Sequence, residues 1–564
     1  MKRQILLIFL ILAGSLGTNA KRVAPYAGSR IFWDLETMTT VFKNGIYGRI
    51  IQLQDNRLIA VCESGGICIS FSNDKGLTWS IPKRILNNPK GINLAVPDLA
   101  QLKDGTILIG YNPRPSAPYS EERKFGIRAI RSTDLGETWS EPIFVYDASY
   151  KDIDGCWEPF FLEMPTGEVQ CYFSNEAYFT NSKEQCIVIS RSFDRGQTWG
   201  KPEPISFRAG SRDGMPSAII LKDSSHIVMT IEDNGWPGRK DFLTTTVRCP
   251  LETNWENFCV DGKSEFRDKV FAKMPPKAYK SAAPYIRMLP WGETVVSFQG
   301  NEGRKDGSID MFVLVGDEQA RNFKAQTRPF RSIGKDEAMW NSLAVIDTGQ
   351  VVAVTSCCKP GKGTSIKMIK GYPIKEAIAR HSTIKVDGSA NDEGWTFPHA
   401  RQLYMGTVTR NWSTVDFAYD DKNLYLISHI TDRFLVKNGK EIDGMNFYID
   451  ADNVSDTRPV KGMFRFFFGA DGSLKMWRAD KKKWIAVSGS IPIYNKVKVQ
   501  EKKHTYCLEA AIPWTLLGKK EAPVGNRMAI AIEIVDKQEK ATLIDTIADV
   551  DTDNSSTWLQ FRLI

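Results

Sequence analysis

Two glutamates stand out as residues that could do acid–base chemistry. Glu158 lies between Trp157 and Pro159 at the head of an apolar run, and Glu232 ends the run Ile-Val-Met-Thr-Ile. Apolar surroundings partly desolvate a carboxylate and raise its pKa, which suits a general acid. A pair of carboxylates can cleave a glycosidic bond, because one protonates the leaving oxygen while the other attacks or activates water. The alternative is that both carboxylates lie at strand ends and simply meet solvent.

Other polar and aromatic side chains fall at similar strand ends. If the strands surround an axis, these ends face one central funnel, where side chains could bind hydroxyl groups or stack on a sugar ring. The candidates for substrate binding are Arg49, Asp98, Glu176, Asp213, Tyr285 and Trp340. Arg49 could instead form an ion pair with Asp98, since acids and aromatics at strand ends are often packing or capping residues.

Six hairpins of the form apolar run, turn, apolar run would position these residues. They begin at Arg49, Asp98, Glu158, Pro216, Pro284 and Asn341. Three copies of Ser-x-Asp-x-Gly-x-Thr-Trp, the Asp-box, lie 60 residues apart at 72–79, 132–139 and 192–199. The Asp can cap a turn, the Gly allows positive φ, and the Trp fills the gap between neighbouring sheets. The pattern predicts an all-β chain with a six-bladed propeller over residues 25–395.

The pattern changes after about residue 400. Residues 405–564 contain no further Asp-box and alternate strand-like runs with polar turns, which predicts a separate β-sandwich. Asp450 and Asp452 could ligate a structural Ca²⁺, because Ca²⁺ prefers carboxylate oxygens. A tight turn between strands gives the same pattern without a metal.

The first twenty residues have the pattern of a secretory signal peptide. Met1-Lys-Arg-Gln precedes an apolar stretch from Ile5 to Leu16, and Ala20 ends the segment. The stretch is too short to span a bilayer, so we expect a secreted or periplasmic monomer without a membrane span. Cys249 and Cys259 flank a loop and are the best candidates for a disulfide, while buried free thiols are common for the others.

Composition and motifs exclude several classes of function. The formal charge of +8 is spread among nearly equal numbers of acidic and basic residues, with no basic run interleaved with aromatics for a nucleic acid. There is no glycine-rich phosphate loop, no serine elbow, and no His beside a Ser or Cys in a triad-like arrangement. We therefore expect a polysaccharide or oligosaccharide substrate and no required cofactor.

Several segments of the predicted propeller resemble glycoside hydrolase family 93. They are Gly155-Cys-Trp-Glu-Pro-Phe-Phe, Tyr172-Phe-Ser-Asn-Glu, Arg212-Asp-Gly-Met-Pro, Ile231-Glu-Asp, Ala283-Pro-Tyr and Val295-Val-Ser-Phe-Gln, within residues 30–375. The resemblance implies a six-bladed propeller that acts as a retaining exo-α-1,5-L-arabinanase releasing arabinobiose. It also implies that Glu158 and Glu232 are nucleophile and acid/base, in an order that the sequence leaves open. A retaining mechanism requires the two carboxyl groups to be about 5 Å apart.

Two other functions compete with this one. A sialidase shares the fold and the Asp-boxes but needs three arginines for its anionic sugar, and Arg49, Arg212, Arg287 and Arg331 are the available candidates. The context of Arg49, Tyr-Gly-Arg-Ile-Ile, differs from the Arg-Ile-Pro typical of sialidases. A non-catalytic, glycan-binding propeller is the other alternative, and the two intact glutamates argue against it.

The C-terminal region resembles family 9 carbohydrate-binding modules. The segments that carry the resemblance are Phe447-Tyr-Ile-Asp-Ala-Asp-Asn and Glu509-Ala-Ala-Ile-Pro-Trp, within residues 405–564. The resemblance implies a sandwich that could hold the chain on a polysaccharide, and a purely structural domain is the alternative. Trp477, Trp484 and Trp558 could stack on sugars, and a role in the core is the alternative for each.

Overall fold

The computed structural model describes residues 23–304, 306–330, 332, 334–408, 411–439, 441–538 and 541–564. The predicted signal peptide and Arg331 lie outside these residues. Within them, strands predominate, and the helical segments are the short 3₁₀ turns Asp152–Asp154, Pro398–Ala400, Glu501–Lys503, Trp514–Leu517 and Ser555–Thr557. None of the described helices has the length and apolar character needed to cross a membrane.

Six four-stranded sheets form the blades of a propeller. Strand β1 is Arg30–Phe42. The first three blades are β2 (Ile46–Gln52), β3 (Leu58–Glu63), β4 (Gly66–Ser72) and β5 (Lys83–Asn87); β6 (Ile92–Gln101), β7 (Ile107–Pro115), β8 (Gly126–Ser132) and β9 (Ile143–Asp147); and β10 (Cys156–Glu163), β11 (Val169–Asn175), β12 (Cys186–Ser192) and β13 (Glu203–Ser206).

The next blades are β14 (Asp213–Ile220), β15 (His226–Asp233), β16 (Leu243–Pro250) and β17 (Arg267–Lys269); then β18 (Ser281–Met288), β19 (Thr294–Gly300), β20 (Asp310–Gly316) and β21 (Lys324–Thr327). The sixth contains β22 (Glu337–Ile346), β23 (Gln350–Lys359) and β24 (Gly363–Ile374), and β1 pairs with β24 to complete it. The six-bladed propeller is confirmed, and its ring is closed by joining the N-terminal strand to the last blade.

The Asp-boxes close turns between outer strands, as predicted. The Asp74 carboxylate accepts hydrogen bonds from the backbone N–H of Thr78 at 2.8 Å and from the hydroxyls of Thr78 and Ser72. Gly76 has φ = 90°, a backbone conformation that favours glycine. Trp79 packs against an apolar cluster between blades. The motif therefore holds the scaffold together.

The C-terminal region forms one thirteen-stranded sheet folded over a large apolar core, with two smaller apolar clusters beside it. Its strands are β25 (Glu376–His381), β26 (Leu403–Val408), β27 (Asn411–Tyr419), β28 (Asn423–Asp432), β29 (Gly444–Asp450), β30 (Met463–Gly469), β31 (Leu474–Asp480), β32 (Lys483–Ala486), β33 (Tyr494–Gln500), β34 (Thr505–Pro513), β35 (Arg527–Gln538), β36 (Ala541–Thr546) and β37 (Leu559–Leu563). The predicted sandwich-like architecture is confirmed.

The boundary between the two parts lies earlier in the chain than the sequence pattern indicated. Strand β25 pairs in parallel with β37 and β27, so residues 376–381 lie in the second sheet although the predicted propeller extended to residue 395. Arg30, at the start of β1, donates a hydrogen bond from Nε to Ala548 O at 2.9 Å. Hydrogen bonds therefore tie the first propeller strand to the C-terminal region.

Each innermost propeller strand contains a bulge at the same level of the axis. At the bulge one residue takes a positive φ between 46° and 57°, although none of the six is glycine. These residues are Tyr47, Val96, Glu158, Met215, Ala283 and Trp340, and we call them the bulge ring. Such conformations cost about 1–3 kcal/mol each and persist only where the surroundings enforce them.

Hydrogen bonds between neighbouring blades hold the bulge ring. The second strand of one blade supplies a side-chain acceptor to the ring N–H of the next blade. The five bonds run from Tyr47 N to Ser356 Oγ (3.1 Å), Val96 N to Glu63 Oε2 (3.1 Å), Met215 N to Ser174 Oγ (3.1 Å), Ala283 N to Glu232 Oε2 (2.9 Å) and Trp340 N to Gln299 Oε1 (2.7 Å). Glu232 therefore occupies a structural position that a serine, a glutamine or another glutamate, Glu63, fills elsewhere.

Candidate active site

Glu158 is the one charged member of the bulge ring. Its Oε1 lies 3.3 Å from Arg114 Nη2, and its Oε2 accepts a hydrogen bond from the Ser174 hydroxyl at 3.3 Å. Burial raises the pKa of Glu158, and the positive charge of Arg114 opposes that rise. About 17% of its side chain is exposed, so a ligand can reach the carboxylate.

Glu232 ends β15 in the next blade, and its surroundings stabilise the charged form less. Its Oε2 accepts the Ala283 N–H at 2.9 Å. Burial raises the pKa of Glu232 to about 7, and the negative charge of Glu158 adds to the rise. Gly214 lies opposite Glu232 in the register, where a Cβ would come within 3.1 Å of Glu232 Oε1. The glycine therefore leaves room for this carboxylate.

Both glutamates line one cavity of about 350 Å³ at the mouth of the funnel. Its other lining residues are Arg114, Asp152, Ile153, Trp157, Glu176, Lys183, Gln185 and Arg212. Glu176, a predicted substrate-binding residue, forms an ion pair with Arg212 and accepts the Trp157 indole N–H at 2.9 Å. Burial raises the pKa of Glu176, and the charge of Arg212 opposes this. The structure thus gathers four carboxylates and three cations in one opening.

Three predicted substrate-binding residues lie in a layer below the bulge ring. Arg49 Nε is 3.4 Å from Asp98 Oδ2, and the Tyr285 hydroxyl donates to both Asp98 oxygens at 3.1 and 3.0 Å. Only 4% of the Arg49 side chain and 7% of the Asp98 side chain are exposed. This is the ion pair considered as the alternative for Arg49. The arrangement supports a structural role that closes the axis, and substrate contact by these residues stays a prediction.

Asp213 and Trp340 have different surroundings. Asp213 is fully buried, and its Oδ2 lies 2.6 Å from Arg267 Nη2, which favours a structural role. Trp340 is partly exposed in the bulge ring, and its ring stacks on Tyr47 with centroids 4.9 Å apart. Trp340 therefore keeps the position of a possible platform for a sugar, and the function predicted for each residue stays a prediction.

The two C-terminal calcium candidates have different hydrogen-bond and ion-pair partners. Asp450 accepts hydrogen bonds from the backbone N–H of Val454 and of Ser455 and from the Ser555 hydroxyl, whereas Asp452 pairs with Lys519 at 2.5 Å. The tight turn without metal, the alternative interpretation, accounts for these contacts.

A different group of carboxylates does converge in the C-terminal region. Ligand oxygens of Asp432, Asp443 and Asp536 lie within 4.8 Å of one another, and all three residues are buried. Oδ1 of Asp536 is buried without a hydrogen-bond partner among the described residues. This donor set, which we call the acid cluster, fits a hard divalent cation such as Ca²⁺.

The candidate sugar-stacking tryptophans and the candidate disulfide cysteines each differ in burial. Trp558 is fully buried, while Trp477 and Trp484 are partly exposed on β31 and β32. The disulfide considered between Cys249 and Cys259 does not form: Cys249 is buried and its sulfur accepts the Trp255 N–H, while Cys259 is exposed. The ten described cysteines are free thiols.

Comparison with known proteins divides the chain into the same two parts. Residues 63–258 match the BNR repeat-like domain, and residues 386–561 match the carbohydrate family 9 binding domain-like family. The propeller contains a BNR-repeat domain. No curated protein matches the sequence.

Solved structures with similar folds share little sequence with this chain. A protein of unknown function from Dyadobacter fermentans is 14% identical, with 63% of this chain and 100% of that chain covered and a TM-score of 0.46. A family 93 α-L-arabinofuranosidase of Fusarium graminearum, solved with arabinobiose, is 18% identical, with 60% and 97% covered and a TM-score of 0.45. A family 9 carbohydrate-binding module from Caldicellulosiruptor kristjanssonii, solved with glucose, is 16% identical, with 34% and 95% covered and a TM-score of 0.27.

Several residues at the mouth of the BNR-type propeller were absent from the predicted site, and three of them are close to Glu158. Arg114 and Trp157 line the cavity, and Ser174 bonds to Glu158. A signal for Arg114 exists in the sequence: it lies two residues beyond Asn112, so both side chains project to the same face of β7. A search of the positions two residues beyond the end of each predicted hairpin's second strand would have found Arg114.

Proposed function

We propose that the propeller is an exo-acting glycoside hydrolase that cleaves α-L-arabinofuranosyl linkages with retention of configuration. The observation that carries this proposal is the pair Glu158 and Glu232, two desolvated carboxylates that line one cavity but have different partners. A glycosidase needs this difference, because one carboxyl group must be charged while the other is protonated.

The partners suggest a role for each glutamate. Arg114 and the Ser174 hydroxyl stabilise the carboxylate form of Glu158, which suits the nucleophile. Glu232, with a pKa of about 7, can hold a proton at neutral pH and donate it to the leaving oxygen. In the second step Glu232 would take a proton from water, whose oxygen displaces Glu158 from the sugar. Both glutamates end in their starting forms.

Exo action and the choice of sugar have separate support. Arg49, Asp98 and Tyr285 come from three different blades and contact one another, which supports a funnel that is closed at one end and accepts a chain end. The arabinofuranosyl substrate is supported by the segments that resemble family 93, among them the one containing Arg212. Secretion or export to the periplasm, and a monomeric state, remain part of the proposal.

The test is product analysis with linear α-1,5-arabinan and, in parallel, a sialyl-lactose. Release of arabinobiose, abolished in Glu158→Gln and Glu232→Gln variants, is the expected result. Free sialic acid would establish the sialidase alternative, which needs Arg49 released from its ion pair with Asp98. Glycan binding by wild-type protein without any product would favour the non-catalytic propeller.

We also propose that the C-terminal sheet binds a polysaccharide, which its match to family 9 binding domains supports. On one face of this sheet the buried Tyr448 and the partly exposed Arg465 and Trp477 are direct neighbours across three strands. The Arg465 guanidinium carbon lies 5.3 Å from the Tyr448 ring centroid and 4.6 Å from that of Trp477. Aromatic faces beside polar donors are suited to sugars.

Binding of the full chain to insoluble arabinan and cellulose tests this second proposal. Trp477→Ala should weaken retention on at least one polysaccharide. Phe434→Ala is the matched control, because Phe434 is an exposed aromatic residue at another place in the C-terminal region. Equal retention of wild type and both variants would refute the proposed binding face.

A further inference from the structure

One cation at the mouth of the propeller has no role in the mechanism above. Arg212 precedes β14 and lines the cavity together with Glu158 and Glu232. About 32% of its side chain is exposed, so its guanidinium is accessible to a ligand. Its position invites the question of what it binds.

Three neighbouring groups hold the Arg212 guanidinium. Nη2 donates to Gln185 Oε1 at 2.7 Å and pairs with Glu176, and Nη1 donates to Lys183 O at 3.2 Å. The backbone is also held, because Arg212 N donates to Asn234 Oδ1 at 2.8 Å. These contacts use three of the five N–H donors of a guanidinium, which leaves two for a ligand.

The charge of Arg212 acts on every buried glutamate of the cavity. It opposes the rise that burial causes in the pKa of Glu158, Glu176 and Glu232. The charge of Arg114 opposes the rise for Glu158 but not for Glu232. The other charged groups lining the cavity are Asp152 and Lys183. Arg212 is therefore the cation that the proposed nucleophile and the proposed acid share.

We propose that Arg212 is a substrate-binding residue that donates hydrogen bonds to sugar oxygens between Glu158 and Glu232, with Glu176 and Gln185 as its positioning residues. This inference rests on the proposed function and adds the group that orients the substrate across the two carboxylates. Its two free donors, the Nε–H and one Nη1–H, point in different directions, so each can donate to a separate hydroxyl of the sugar. The ligand class is a neutral furanoside with adjacent hydroxyl groups.

Two substitutions separate the charge of Arg212 from its shape. Arg212→Met should lower kcat/KM by about 100-fold, because hydrogen bonds to a charged group are lost. It should also move both limbs of the pH–rate profile upward by about 1 unit, since removing a cation raises the pKa of each carboxyl group. Arg212→Lys should raise KM while leaving the limbs in place. A merely structural role would also move the limbs, because the charge is lost in either case, but it would leave the affinity for arabinobiose unchanged.

Titration calorimetry with arabinobiose makes the test independent of turnover. Wild type and the surface control Arg195→Met should bind alike, and Arg212→Met should bind at least tenfold more weakly. Equal binding by Arg212→Met, or an unmoved pH profile, would overturn this inference while leaving the proposed function intact. Wild-type binding without cleavage of arabinan would refute the proposed function, and weaker binding by Arg212→Met would still support the inference. No binding by wild type would overturn both the inference and the proposed sugar.

Discussion

The funnel and the acid cluster bury carboxylates in opposite ways. In the funnel Glu158 faces the guanidinium of Arg114, and Arg212 lies nearby. In the acid cluster Asp443 accepts hydrogen bonds from the backbone N–H groups of Val436 and Lys537. Arginines fixed in the protein leave a carboxylate charged and reachable, whereas converging carboxylates without a fixed cation need a proton or a metal ion. Burial of acids therefore points to chemistry in one region and to a bound proton or metal ion in the other.

The largest expected effect is on turnover. Glu158→Gln and Glu232→Gln should each lower kcat by about 10³-fold, because each removes a group that reacts with the substrate or transfers a proton. Asp443→Asn should leave kcat within about twofold of wild type, because the acid cluster is assigned no part in the reaction. Steady-state kinetics on arabinan measure both. A large loss of kcat in Asp443→Asn would erase the proposed difference between the two regions.

The next effect is on stability. Ca²⁺ at 100 times its dissociation constant should stabilise the fold by about 2.7 kcal/mol if it binds the acid cluster only in the folded state. Thermal unfolding in Ca²⁺ and in EDTA measures this, and Asp536→Asn should abolish the difference. Asp450→Asn is the comparison for the originally predicted ligand. Identical unfolding in Ca²⁺ and EDTA would exclude a calcium role for both sets of residues.

Without a metal, the acid cluster should make stability depend on pH. Burial raises the pKa of Asp443 to about 7, and the charge of Asp432 contributes. A raised pKa in the folded state stabilises the fold below the unfolded value, near 4, and this stability is lost as pH rises to about 7. In EDTA the melting temperature should fall over this range, and saturating Ca²⁺ should flatten the dependence. A flat profile in EDTA would mean that the carboxylates do not share a proton.

The smallest effect distinguishes the two arginines of the funnel. Arg114→Met should raise the pKa of Glu158 and move the acidic limb of the pH–rate profile upward by about 1 unit, while the alkaline limb, set by Glu232, stays in place. Arg114→Lys retains the charge and is the control. Movement of both limbs in Arg114→Met would show that the two glutamates titrate as a coupled pair.

Some of the site could be predicted because its signals are local. Glu158 begins one apolar run and Glu232 ends another, and both features are visible in the sequence. The level of each residue along the axis is not, because the bulges shift the register: Arg49 and Asp98 lie two residues beyond their bulge residues, Tyr47 and Val96. Arg49 and Asp98 therefore lie in the layer below Glu158, although all three residues begin their predicted hairpins.

By itself, the sequence determined the architecture, through turns and periods that act over a few residues. The Asp-boxes and six hairpins specified the propeller, and the loss of both after residue 400 indicated the sandwich. Tertiary structure alone decided which charges meet. Arg267 pairs with Asp213 from 54 residues away, and the acid cluster unites residues from Asp432 to Asp536. Turn formation depends on neighbours in the chain, whereas the state of a buried charge depends on whichever distant groups the fold places beside it.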